Sequence, residues 1–189
     1  MELLTLPLFC LERDIYMRLF IIGGKANVGK NTLAKLIKQY YDEKNERSII
    51  TEYSKYVKLM ANEMLDLHDK KKPRAFLQHL GEEYRKLVSP SVFIDRMKED
   101  ILIYQKYYQN VIICDARLIP ELTLMKTKYP KCYTIHLTSD RKNNLTIEEQ
   151  NHITETELEH YDNFDYELVN NNKQDLKRQI YRILEVLDD

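Results

Sequence analysis

The strongest chemical signal in the chain is the run Gly24-Lys25-Ala26-Asn27-Val28-Gly29-Lys30-Asn31-Thr32. Its Gly-x4-Gly-Lys spacing suits a loop that turns backbone N–H groups inward around a phosphate. The glycines avoid Cβ clashes, and Lys30 adds a point charge toward the β- and γ-phosphates. Three of the four glycines, Gly23, Gly24 and Gly29, fall in or beside this stretch. Asn31 stands where most such loops place Ser or Thr for magnesium, and Thr32 follows one residue later. The Asn31 amide oxygen still suits a water of a Mg²⁺ shell, because that ion retains several waters. A second candidate is Asp115, which ends the apolar run Val111-Ile112-Ile113-Cys114. A carboxylate at the C-terminal edge of a parallel sheet can hold metal-bound water beside a phosphate, although capping a helix is its ordinary alternative. Arg117 lies just beyond the same edge, a place after a strand where functional side chains are common.

A loop of this kind works only between a strand and a helix, and the flanking patterns supply both. Arg18 to Gly23 is an apolar run, and Leu33, Leu36, Ile37, Tyr40 and Tyr41 recur at helical spacing over 31–44. Further β-type runs cover 48–53, 110–115, 131–138 and 166–170. Continuous apolar strands separated by helices predict an α/β fold with a parallel sheet covered on both faces. Nearly sixty residues separate the second and third strands. They read as three helices over 55–67, 73–87 and 91–108, forming a lobe beside the sheet (insert about 55–108). The stretch 139–165 is polar, lacks a strong apolar stripe, and reads as a mobile cover or lid. Helices over 121–129 and 175–187 complete the chain.

Composition narrows the class. The chain has 189 residues, 43% hydrophobic and 10% aromatic, with 29 basic and 30 acidic side chains. That length suits one domain with a buried core. The balanced charge argues against stable nucleic-acid binding, and no run approaches the roughly 18 apolar residues of a membrane helix. Cys10, Cys114 and Cys132 lack metal-ligand spacing and read as small hydrophobes in a reducing, cytoplasmic setting. Residues 1–16 read as an N-terminal extension, since no basic flank or small-residue cleavage site accompanies their apolar core. Residues 17–189 then form a single domain.

Four more segments complete a family pattern: Asp115-x-Arg117-x-x-x-Glu121; Arg74-x-x-Leu77-Gln78-x-x-Gly81 with Arg85; His152-x-Thr154-Glu155; and a last strand ending in Asn170-Asn171. With Gly29-Lys30-x-Thr32 they make residues 17–189 resemble the P-loop nucleoside monophosphate kinases, above all the phage-type deoxynucleoside monophosphate kinases. That resemblance implies a three-layer P-loop fold with a sheet ordered 2-3-1-4-5. It implies ATP and Mg²⁺ as cofactors and transfer of the γ-phosphoryl of ATP to a small-molecule (deoxy)nucleoside monophosphate. Lys30, Arg117 and Asp115 would be catalytic, the loop 24–32 and Arg141 would bind ATP, and Asn31 and Asp115 would hold metal through water. Arg74, Gln78, Arg85 and Glu121 would meet the acceptor. Arg74 and Arg85 sit about three helical turns apart, so one need not face the acceptor with the other. Glu121 has a second reading, pairing with the Arg117 guanidinium at i, i+4 spacing. His152 reads as a structural hydrogen-bonding group in the lid.

Three other readings stay open at this point. The chain could be a kinase for another phosphorylated metabolite, a nucleotide-binding module without an acceptor, or a GTPase. Asn172-Lys173-Gln174-Asp175 spells a guanine-binding signature, but Asp115 is not followed by the Asp-x-x-Gly switch element. The tetrapeptide also suits a turn and helix cap.

Overall fold

The computed structural model describes residues 17–65, 74–140, 145, 146 and 150–188. In chain order the elements are β1 (Arg18–Gly23), α1 (Lys30–Glu43), β2 (Ser48–Thr51), α2 (Ser54–Leu65), α3 (Arg74–Leu87), α4 (Val92–Tyr104) and β3 (Asn110–Ala116). They continue with α5 (Ile119–Lys128), β4 (Cys132–Thr138), the short α6 (Ile153–Thr156), a 3₁₀ turn (Glu157–His160), β5 (Tyr166–Val169) and α7 (Lys173–Asp188). The five strands form one sheet ordered β2-β3-β1-β4-β5, every pair parallel. This is the predicted architecture, including the strand order implied by the resemblance.

Apolar side chains of period two build two cores from the same strands. Phe20, Ile22, Ile112 and Ile135 pack with Leu33, Ile37 and Tyr41 of α1 and with Leu176, Ile180 and Leu184 of α7. Leu19, Ile21, Val111 and Ile113 face the other way, against Met97 and Ile101 of α4 and Leu122 and Met125 of α5. Burial on both faces explains why β1 and β3 read as unbroken apolar runs. Cys114 and Cys132 are buried thiols, one on each side; Cys10 lies outside the described residues.

Two expectations need correction. The helix predicted over 91–108 ends at Tyr104, where Lys106 and Tyr107 donate to carbonyls only three residues back, at 3.1 and 2.9 Å. That tightening releases the chain toward β3. The cover predicted over 139–165 is in part docked rather than loose. Within it, α6 and the 3₁₀ turn bury Glu155 and Leu158. One inward Leu and one inward Glu carry no apolar stripe that a sequence pattern would register. Among the described residues no helix is long and apolar enough to cross a membrane.

Candidate active site

Gly24 through Thr32 bridge the C-terminal end of β1 and the start of α1. Gly24 has φ +138°, and a Cβ there would lie 2.3 Å from the Leu137 carbonyl oxygen, so only glycine lets the loop pass β4. Asn27 takes the left-handed conformation at φ +63°, which its short polar side chain tolerates better than most. Gly29 (φ +105°) is the N-cap of α1 and lends it no side-chain acceptor, and the first turn carries no acidic residue. The Thr32 and Leu33 amides already donate to the Gly29 carbonyl at 2.9 and 3.0 Å, so it is the amides of Lys30 and Asn31 that can meet an anion, with the positive end of the helix dipole behind them.

Lys30 is 8% exposed. Its Nζ donates to the carbonyl oxygens of Gly24 and Lys25, each at 2.6 Å, and so lies across the loop it serves. Burial lowers its pKa to about 7, helped by the Arg117 guanidinium, while Glu155 and Asp115 act in the opposite direction. Asn31 and Thr32 line the cleft in front of α1.

Facing the loop is a buried carboxylate. Glu155 Oε1 accepts from Arg117 Nη1 at 2.5 Å and also from Arg74 Nη2, while Oε2 accepts the Ala26 amide at 2.7 Å. One acidic side chain from α6 thus ties together the loop, the end of β3 and the helical lobe. The sequence pattern contains Glu155 but gives it no role, because its partners are 38, 81 and 129 residues away.

The other predicted site residues divide clearly. Asp115 accepts the amides of Tyr53 and Ser54 at 2.8 and 2.9 Å, so its carboxylate fixes the start of α2 while still lining the cleft. Glu121 is 2% exposed, and its Oε2 accepts the backbone amides of Arg117 at 2.7 Å and Leu118 at 3.1 Å. Its pairing with the Arg117 guanidinium is therefore wrong: the backbone amides hold the Glu121 carboxylate and Glu155 holds the guanidinium. Burial pushes the Glu121 carboxyl up to about 7. Arg74 and Arg85 both line the cleft, as does Gln78. Eleven residues at about 100° each bring a helix almost back to its starting face, so the two arginines share one side of α3. Arg141 lies outside the described residues. His152 has the structural role expected of it: Nδ1 lies 2.9 Å from Thr154 Oγ1 and Nε2 3.0 Å from Glu82. Asn172 Oδ1 accepts the Asp175 amide at 2.9 Å, so the guanine-like tetrapeptide is the turn and cap that opens α7.

Lys30, Arg74, Arg85, Asp115, Arg117 and Glu155 converge on one cleft of about 580 Å³ between the phosphate loop and the helical lobe, within the rough 300–1,000 Å³ range of small-molecule sites. A second hollow of about 410 Å³ lies behind the loop, against His136, Ser139 and Leu158. No protein-family model matches the sequence, and no curated protein matches it. Solved structures do. The Mycobacterium tuberculosis APS kinase CysC, in complex with AMPPNP and APS, superposes with a TM-score of 0.57 at 10% identity, over 92% of this chain and 99% of that one. Its Cys556Ala mutant gives 0.54 at 11% identity with the same coverage. The chain shares the fold of that kinase. Shikimate kinase from Aquifex aeolicus scores 0.49 at 15% identity, over 90% of this chain and 98% of that one.

Proposed function

We propose that the protein catalyses transfer of the γ-phosphoryl group of ATP to a (deoxy)nucleoside monophosphate, giving two diphosphates. One observation carries the reading: the phosphate loop with its buried Lys30 shares a single cleft with Arg74, Arg85 and Arg117. Such a transfer needs in-line positioning and cationic relief of charge, with little covalent work by the protein. An oxygen of the acceptor phosphate forms the new bond to the γ-phosphorus as the bond to the β-bridging oxygen breaks and ADP leaves. The backbone amides of 24–32 and Lys30 bind the β- and γ-phosphates. Arg117 spans donor and acceptor, Arg74 and Arg85 hold the acceptor phosphate, and Gln78 faces the acceptor as a hydrogen-bonding group. Glu121 locks the backbone of Arg117, and Asp115 locks the start of α2.

The donor set suits magnesium held mainly by phosphate and water. Among the described residues no cluster of three or more His, Cys, Asp or Glu side chains could hold a metal, yet Asn31 and Asp115 border the cleft. They would hold the ion through its waters. When bound, Mg²⁺ supplies charge neutralisation on the β- and γ-oxygens. The solved neighbour that holds both AMPPNP and APS supports a two-substrate cleft in this fold. Small-molecule substrates and buried thiols both suit a cytoplasmic setting. A coupled ADP-release assay with ATP, magnesium and a panel of ribo- and deoxynucleoside monophosphates tests the reading. Acceptor-dependent release with one or a few members supports it; ADP release indifferent to every acceptor overturns it.

A further inference from the structure

Glu155 is a buried charge with both carboxylate oxygens engaged. Its side chain is 2% exposed, and its two oxygens take the Ala26 amide of the phosphate loop, Arg117 Nη1 and Arg74 Nη2. A backbone amide of a Gly-rich loop flanked by two guanidiniums is the donor set expected for a phosphoryl group, and here a carboxylate fills it. The surrounding strap is fastened to both neighbouring elements. Gln78 Nε2 donates to Thr154 Oγ1 at 3.2 Å, Glu82 meets His152 Nε2 at 3.0 Å, and Glu157 Oε1 accepts the Ile119 amide at 2.7 Å.

We infer that Glu155 is a built-in competitor for the phosphate site: its carboxylate occupies the anion position in the unliganded chain and must leave when a polyphosphate enters. This rests on the nucleotide-binding reading above and adds a linkage between occupancy of the loop and docking of strap 152–157. A doubly charged phosphoryl group and a carboxylate cannot share one set of donors in a site shielded from water, because like charges at contact repel strongly there. Polyphosphate therefore takes over the Ala26 amide, and Glu155 swings out with its strap, which frees Arg117 and Arg74 for the transferring and acceptor phosphates. In exchange, the seated carboxylate keeps both guanidiniums assembled over the loop and offsets one of their two charges. The apparent affinity for the donor is lowered by the fraction of time the carboxylate is seated.

Calorimetric titration of the wild-type chain and Glu155→Gln with inorganic tripolyphosphate and with Mg·ATP tests this. The amide keeps the shape and removes the competing charge, so the variant should bind about tenfold more tightly. Equal or weaker binding by the variant, with clear binding by the wild type, overturns the competitor role and leaves the nucleotide reading intact. Absence of binding by both proteins overturns the nucleotide reading and the inference together. Hydrogen exchange on the wild-type chain is a readout independent of the variant's folding. Saturating tripolyphosphate should speed exchange over 152–157; unchanged or slower exchange there contradicts the inference.

Discussion

Asn170, the residue that follows β5, donates its side-chain amide to the Val28 carbonyl at 2.7 Å, so the far edge of the sheet holds the back of the phosphate loop. The fit is close: a Cβ on Gly29 would lie 2.3 Å from Asn170 Nδ2. Asn170 is itself 3% exposed. Asn170→Ala removes one buried hydrogen bond and should cost about 1 kcal/mol of stability. It should also weaken Mg·ATP binding, because the loop's amides lose their fixed orientation. Denaturant titration alongside calorimetry checks both effects; unchanged ATP affinity would confine Asn170 to a packing role.

Lys30→Ala removes the side chain that donates to the Gly24 and Lys25 carbonyls of the loop. Phosphoryl transfer should fall by about three orders of magnitude, the scale set by loss of a group that stabilises transition-state charge. The circular dichroism spectrum and melting behaviour should stay near wild type, since the lysine is bonded to loop carbonyls rather than packed in a core. Near-normal turnover in this variant would count heavily against the mechanism.

Arg117→Ala separates binding from chemistry. The guanidinium is held over the loop by Glu155, and its own backbone is fixed by Glu121. Transfer should drop about 100-fold or more while ATP affinity changes far less. Steady-state kinetics with ATP varied at saturating acceptor makes the comparison. Equal loss in both quantities would identify a structural arginine.

Proton linkage follows from Lys30. Its pKa is about 7 in the unliganded fold against the usual 10.5, with burial the main cause. Between those values the unfolded chain carries the proton and the folded chain does not, so this group makes the unliganded protein more stable as pH rises through that window. A bound polyphosphate reverses the balance by favouring the charged ammonium. Mg·ATP binding at about pH 8 should therefore take up close to one proton and weaken as pH rises further. Calorimetry in buffers of different ionisation enthalpy measures the uptake, and a value of zero would contradict this account of Lys30.

Much of this was legible in the sequence because it depends on local pattern. The strand–loop–helix around Lys30 shows in its apolar runs and glycines, and the covered parallel sheet shows in unbroken runs such as Val111 to Cys114. The helical lobe between β2 and β3 shows in the long stretch that separates those strands. What escaped depends on contacts between distant segments. Glu155 sits in a polar stretch without periodicity, and nothing nearby indicates that its partners are Ala26, Arg74 and Arg117. Glu121 was expected to pair with a side chain four residues back, but burial at the start of α5 makes the unpaired amides of Arg117 and Leu118 the stronger claim on its carboxylate. Asp115 illustrates the same limit, since its tie to Tyr53 and Ser54 spans strands that are neighbours only in the folded sheet.

Phosphorus-31 magnetic resonance on a mixture of Mg·ATP, one accepted nucleoside monophosphate and a catalytic amount of protein tests the central claim most directly. The account predicts that the γ-phosphorus signal of ATP and the monophosphate signal decline together. Two sets of diphosphate resonances should grow in their place, with no inorganic phosphate. Growth of inorganic phosphate alone, or an unchanged spectrum with every monophosphate tried, would contradict it.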